Sequence, residues 1–104
     1  MTPHPCPGCN APVATNARYP LAFCASCLQN AASDGQGTPL EICEDTRMAL
    51  GYRYSGEEVW QPAATIYCRI RGQKAVVNPA RFGGLVAEPA TAPAPNRAGV
   101  VNLA

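Results

Sequence analysis

The sequence has few large hydrophobic side chains, little charge and only one histidine. Leu, Ile, Val and Phe together number 18 among 104 residues, charged residues make up 14%, and the net charge is +1. So small an apolar inventory predicts a thin core that needs a metal, disulfides or a partner for stability. The near-neutral charge lacks the electrostatic signature of a dedicated DNA-binding protein. No apolar run reaches the roughly 18 residues that a membrane span needs, which excludes a transmembrane protein.

Two further absences concern location and catalysis. Prolines occupy positions 3, 5 and 7, where the apolar segment of a secretory signal would begin. We therefore expect a cytoplasmic protein, in a compartment where structural disulfides are rare. The chain contains no second histidine, no nucleophile elbow, no phosphate-binding glycine loop and no carboxylate pair beside a base. These absences predict that the protein is not an enzyme.

Four of the six cysteines form two C-x-x-C pairs. Cys6 and Cys9 make the first pair, Cys24 and Cys27 make the second, and 14 residues separate the pairs, a spacing typical of zinc ribbons. Each short pair favours a knuckle-shaped turn that aims both sulfurs at one point. Four thiolates around one Zn²⁺ leave no open position, so we predict one structural zinc ion held by these four side chains.

Neighbouring residues suit these turns. In Pro7-Gly8, proline fixes one φ and glycine tolerates a positive φ, while Asn10 tolerates the left-handed region after the first pair. Three other uses of the four cysteines remain open: a rubredoxin-like iron site, a thioredoxin-like dithiol and a pair of disulfides. His4 is a possible substitute ligand, although we expect a solvated residue on a proline-rich arm.

The two remaining cysteines lack knuckle spacing. Cys68 alternates with Ile66 and Ile70 on one face of a predicted strand, so we interpret Cys43 and Cys68 as small buried hydrophobic residues. The alternative is a second metal site that combines both cysteines with His4.

The expected fold is small, metal-stabilised and mainly β. Residues 1–33 form a zinc-ribbon (rubredoxin-like) unit with a short helix after Cys27, and residues 34–87 form an antiparallel β-meander packed on the ribbon. Thr65 to Arg71 is the clearest strand, and Arg71-Gly72 has the character of a two-residue hairpin turn. Residues 88–104, rich in proline and alanine, are expected to be a flexible, extended tail.

Charge is segregated along the chain despite its small total. Residues 34–58 carry a net charge of −4, and residues 69–81 carry +4. A face with Tyr67, Arg69, Arg71 and Lys74 is the candidate contact surface for nucleic acid or a partner. We favour the interpretation that this face is solvated and pairs with the acidic segment in the same sheet.

Two further sequence elements carry a resemblance. They are Ala17-Arg18-Tyr19-Pro20, between the cysteine pairs, and the segment ARFGGLV at residues 80–86. With the two knuckles, they make residues 6–88 resemble a group of small uncharacterised bacterial zinc-ribbon proteins. The resemblance implies the fold and the domain extent, and it implies no activity.

These observations favour a non-catalytic zinc-binding protein that acts as a small protein–protein interaction module, of adaptor, regulator or toxin-immunity type. The partner we expect is therefore a protein and not a membrane. The first alternative is a zinc ribbon that binds nucleic acid weakly. The second is a rubredoxin-like electron carrier with iron bound by four cysteines.

Overall fold

A computed structural model describes residues 3–13, 21–80 and 84–104. Within these residues the chain is mainly β, with antiparallel sheets and one short helix. The elements in chain order are β1 His4–Pro5, β2 Pro12–Val13, α1 Ala25–Asn30, β3 Ala32–Ser33, β4 Leu40–Asp45, β5 Ala49–Tyr54, β6 Gln61–Ala63, β7 Thr65–Ile70, β8 Gln73–Pro79, β9 Leu85–Pro89 and β10 Val100–Asn102.

The larger sheet has five strands built around β7. Strands β7, β8 and β9 form an antiparallel meander, and β10 pairs in parallel with the other edge of β7, with Val100 opposite Thr65. Farther along the same edge, β3 pairs antiparallel with β7, with Ala32 opposite Ile70. One edge of β7 is therefore covered by two short strands, one from each half of the chain.

Two smaller sheets complete the fold. Strands β4, β5 and β6 form an antiparallel meander in which Leu40 lies opposite Tyr54 and Leu50 opposite Ala63. Strands β1 and β2 form a two-stranded ribbon beside the first cysteine pair. The predicted meander after residue 34 thus divides between two sheets.

The alternation predicted for β7 is confirmed. Ile66, Cys68 and Ile70 have no exposed surface, because every second side chain of a strand points to the same face. Arg71 and Gly72 have φ values of 53° and 79°, the positive values that a tight two-residue hairpin turn needs. The β7–β8 hairpin is therefore encoded locally.

One hydrophobic core connects the two halves of the chain. Leu50 from the three-stranded sheet, and Ile66 and Val77 from the five-stranded sheet, belong to the same buried cluster as Cys6 and Phe23 from the cysteine-containing half. Residues on both sides of position 33 therefore stabilise each other. Among the described residues, no helix has the length and hydropathy needed to cross a membrane.

The expectation of a flexible tail from residue 88 was wrong at both ends of that segment. Strand β9 continues to Pro89, and β10 adds to the sheet near the end of the chain. The Leu103 amide donates to the Tyr67 carbonyl at 2.7 Å, and the Ala64 amide donates to the Gly99 carbonyl at 2.8 Å. The edge of β7 that does not pair with β8 supplies the hydrogen-bonding groups for this segment. Because β7 is distant in sequence, the composition of residues 88–104 does not indicate the pairing.

Candidate metal centre

The four knuckle cysteines meet at one point, as predicted. Their sulfur atoms all lie within 4.8 Å of one another. The Sγ atoms of Cys6 and Cys27 are 3.8 Å apart, and those of Cys9 and Cys24 are 3.6 Å apart. A cluster of four sulfurs at these distances can hold a metal ion.

Backbone amides point at two of the sulfurs. The amides of Gly8 and Cys24 donate to Cys6 Sγ at 3.3 and 3.2 Å. The Cys27 amide donates to Cys24 Sγ at 3.4 Å, an arrangement that also caps α1. Such bonds favour the thiolate, which is the form that binds metal.

The pKa values of the two buried cysteines, Cys6 and Cys27, are shifted in opposite directions. Burial opposes ionisation of Cys6, but the amides of Cys24, Cys9 and Gly8 outweigh it and lower the Cys6 pKa to about 6. Burial raises the pKa of Cys27 to about 12, although the guanidinium of Arg71 favours its thiolate. A metal cation at the centre of the cluster would supply the positive charge that this buried thiolate needs.

In the first knuckle, Gly8 lies close to neighbouring side chains and does not take a positive φ. This corrects the expectation that Gly8 supplies the positive φ of the turn. The positive φ falls at Asn10 (66°), as its residue type allows, whereas Gly8 is outside the left-handed region. A Cβ atom at Gly8 would lie 3.1 Å from both Arg71 Cγ and Cys27 Sγ, and 3.3 Å from a ring carbon of Phe23. Glycine suits this position because the second knuckle packs directly against the first, and a larger residue would push on it.

The β7–β8 hairpin packs against the cysteine cluster, a contact that no local sequence pattern predicted. Gln73 Nε2 donates to the Pro7 carbonyl at 2.6 Å, and the Arg71 amide donates to the Ala31 carbonyl at 3.2 Å. The stem of Arg71 lies beside Gly8 and the Cys27 sulfur, and its positive charge favours the Cys27 thiolate. The hairpin signal at Arg71-Gly72 was visible in the sequence, but the contact between hairpin and knuckle is tertiary.

The predicted contact face is only partly assembled. Tyr67 and Lys74 line a cavity of about 300 Å³ beneath the proline- and alanine-rich segment. Arg69 lies opposite Lys74 on the neighbouring strand and donates to the carbonyl of Gly72. The Arg71 stem instead lies beside Gly8 and Cys27 of the cysteine cluster, so the four side chains do not form one basic patch.

The acidic segment pairs with its own arginines. Arg53 lies opposite Glu41 in the β4–β5 pair and contacts it at 3.2 Å, while its guanidinium sits 4.3 Å from the centre of the Trp60 ring. Arg47 contacts Asp45 at 2.7 Å. The expectation that these acids lie in the same sheet as the basic face was wrong, because β4 and β5 belong to a separate sheet.

The other candidate ligands lie outside the cluster. His4 is half-buried in β1, with its Nε2 2.9 Å from the Ala22 carbonyl oxygen, so the expectation of a solvated arm was wrong. Cys68 is fully buried, which confirms its interpretation, and burial raises its pKa to about 12. Cys43 is half-buried beside a groove of about 520 Å³, and burial, with the charge of Asp45, raises its pKa. Across residues 3–13, 21–80 and 84–104, the four-cysteine cluster is the only such group.

The elements that carried the family resemblance lie largely outside the described residues. Residues 17–20, and residues 81–83 of the second element, fall in the gaps. Comparison of the chain with models of protein families, with curated proteins and with solved structures finds no match.

Proposed function

We propose that this protein is a non-catalytic zinc-binding protein whose tetrathiolate centre is structural, with a zinc-ribbon-like arrangement of two knuckles. The proposal rests mainly on the arrangement of the four sulfur atoms. A regular tetrahedron with Zn–S bonds near 2.3 Å has edges of about 3.8 Å. The Cys6–Cys27 and Cys9–Cys24 sulfur pairs lie at 3.8 and 3.6 Å, and all four sulfurs lie within 4.8 Å of one another. Four protein sulfurs fill such a tetrahedron and leave no position for a substrate or an activated water.

The composition of the core supports a structural role. Cys6 and Cys27 are buried members of the hydrophobic cluster, and Phe23 and Leu28 are the large apolar side chains buried beside them. A structural zinc contributes about 10–16 kcal/mol of apparent binding energy in small domains. Metal binding would therefore replace the hydrophobic burial that this part of the chain lacks.

The first prediction concerns metal content and stability. Purified protein is expected to carry one zinc ion per chain by elemental analysis, and a strong chelator is expected to lower its melting temperature. Iron in the same stoichiometry would favour the electron-carrier alternative, because Fe and Zn share this ligand geometry. Metal-free protein whose melting a chelator leaves unchanged would refute the proposal.

A matched control comes from the other two cysteines. Replacing Cys43 and Cys68 by alanine is expected to leave the zinc content intact, with some loss of stability from the buried Cys68 site. Loss of zinc in this double variant would mean that the ligand set is wrong.

We further propose that the protein presents its surface to a protein partner. Among the described residues, the large hydrophobic side chains of Leu21, Met48 and Val59 are 58, 42 and 66% exposed and are available for such a contact. The basic residues are also dispersed, since Arg71 is engaged at the cysteine cluster. Nucleic-acid binding by the remaining basic residues would be weak and strongly dependent on salt.

The second prediction separates these partner classes. Titration with labelled single-stranded and duplex oligonucleotides is expected to show no binding at physiological salt. A pull-down from the native host, repeated with nuclease, is expected to retain a protein partner, which is then purified and titrated directly. Tight oligonucleotide binding that falls steeply with salt, and weakens in Arg69→Gln, would favour the nucleic-acid alternative.

A further inference from the structure

The four knuckle sulfurs differ sharply in their access to solvent. Cys6 and Cys27 are 2% and 1% exposed, Cys24 is half-buried, and Cys9 is exposed. Cysteine oxidation follows thiolate character and exposure. All four cysteines have thiolate character when they bind a metal. Exposure therefore decides among them, and it makes Cys9 the residue that a dissolved oxidant reaches first.

Hydrogen bonding reinforces this difference. Cys6 Sγ accepts amide hydrogen bonds from Gly8 and Cys24, and Cys24 Sγ accepts one from Cys27. In the part of the chain that the structure describes, no backbone amide donates to the Cys9 sulfur at hydrogen-bond distance. Amide donors withdraw electron density from a thiolate and hold it in place. Among the described residues, the Cys9 and Cys27 sulfurs accept no such bond, and of these two only Cys9 is exposed.

A sulfur of the second knuckle suits a second step. Cys24 Sγ lies 3.6 Å from Cys9 Sγ, and a disulfide needs an approach to about 2.05 Å. Cys24 is also the more accessible of the sulfurs on the second knuckle. A bond between these two residues would join the two knuckles directly.

We propose that Cys9 and Cys24 form a peroxide-sensitive pair that releases the metal when it is oxidised. This inference rests on the proposed metal centre. The Cys9 thiolate attacks a hydroperoxide and forms an S–O bond as the O–O bond breaks, which oxidises the sulfur and releases hydroxide or alkoxide. The Cys24 thiolate then attacks the Cys9 sulfur, the S–S bond forms, and the S–O bond breaks with loss of a second hydroxide. Two thiolates supply two electrons, and one peroxide accepts them.

The consequence is a change in metal affinity. The disulfide removes two of four ligands and leaves Cys6 and Cys27, which cannot complete a tetrahedron. A thiol reductant restores both thiolates, so the release is reversible.

The test uses the zinc-loaded full chain and stoichiometric hydrogen peroxide. Zinc release is followed with a chromophoric chelator, and free thiols are alkylated before digestion with trypsin. Cleavage after Arg18 and Arg47 places Cys6 and Cys9 on one peptide and Cys24, Cys27 and Cys43 on another, and fragmentation of a linked pair identifies the bonded cysteines. A disulfide between knuckles therefore links two peptides, whereas one within a knuckle does not.

We expect one zinc released per linked peptide pair, with Cys6 and Cys27 alkylated and with recovery after thiol reduction. A first disulfide within either knuckle, a Cys6–Cys27 link, or irreversible oxidation with zinc retained would overturn the inference. Protein that carries no metal before peroxide is added would instead refute the proposed function, so the two failures are distinguishable.

Two variants sharpen the test. Cys9→His keeps a four-ligand set acceptable to zinc but removes the exposed sulfur, and its zinc release is expected to be about tenfold slower. Cys43→Ser removes the half-buried thiol outside the cluster and is expected to release zinc at the wild-type rate. If the Cys9→His protein does not bind zinc, the peptide map of the Cys43→Ser protein tests the inference instead. A Cys9–Cys24 disulfide would support it, and any other first disulfide would overturn it. Wild-type release in a zinc-loaded Cys9→His protein would contradict the inference.

Discussion

The contact between the two knuckles provides a quantitative test of the metal centre through Gly8→Ala. The added Cβ would meet Cys27 Sγ and Arg71 Cγ at 3.1 Å and the Phe23 ring at 3.3 Å, distances shorter than ordinary carbon contacts of about 3.5–4.0 Å. Because Gly8 lies outside the left-handed region, its backbone accepts alanine. The cost is therefore steric.

The loss of stability in Gly8→Ala depends on which neighbouring group can move away from the added methyl group. The Arg71 stem is exposed and can shift, whereas a metal-bound sulfur is fixed near 2.3 Å from its ion and the Phe23 ring is buried. Overpacking of this kind costs about 1–3 kcal/mol. We expect a loss near the middle of that range, with zinc affinity about tenfold to a hundredfold lower, since 1.4 kcal/mol corresponds to a factor of ten.

The assay is zinc competition against a chromophoric chelator, combined with thermal melting of the zinc-loaded protein. Gly51→Ala is the matched control, because its Cβ would meet the Asp45 side chain at 3.0 Å in the other sheet. This control is expected to change stability and leave zinc affinity unchanged. Wild-type zinc affinity and melting in Gly8→Ala would refute the packing argument. A stabilised variant would also refute it, since relief of glycine's unfolded-state entropy would then exceed the clash.

Two further predictions concern the rest of the fold. Burial raises the Cys68 pKa from 9.0 to about 12, so the stability that the neutral thiol contributes is present below pH 9 and is lost as pH rises towards 12. The difference in unfolding free energy between the wild type and Cys68→Ala is expected to fall above pH 9, by up to about 1.4 kcal/mol per pH unit. Urea melts at alkaline pH would contradict this if the unfolding free energies of the two proteins changed in parallel with pH. In Gly35→Ala, a Cβ would lie 2.7 Å from the Ala104 carbonyl carbon, so the Leu103 amide is expected to lose protection in hydrogen exchange, and unchanged protection would argue against a docked β10.

The parts of the structure that the sequence predicted are those set by local geometry. The C-x-x-C spacing brings the sulfurs of each knuckle together, alternation in β7 buries Ile66 and Ile70, and Arg71-Gly72 makes the hairpin turn. Each depends on residues a few positions apart, where backbone conformation is the main constraint.

The errors came from contacts between distant residues. The sequence interpretation placed the acidic segment and the basic face in one sheet, but Glu41 pairs with Arg53 inside a separate sheet. It also gave Gly8 a conformational role, whereas the neighbouring Cys27 and Phe23 would make tight contacts with a side chain at this position. Local patterns do not encode which strand or knuckle becomes a neighbour.

The sequence by itself determined which four cysteines cluster and where the main hairpin turns, because short loops leave few ways to arrange their residues. Only the tertiary structure decided that Arg71 turns from the predicted contact face to Cys27, that β10 covers the edge of β7, and that Cys9 stays exposed while Cys6 and Cys27 are buried. These outcomes depend on surfaces and hydrogen-bonding edges that exist only once distant segments have packed together, which is why residue spacing alone did not reveal them.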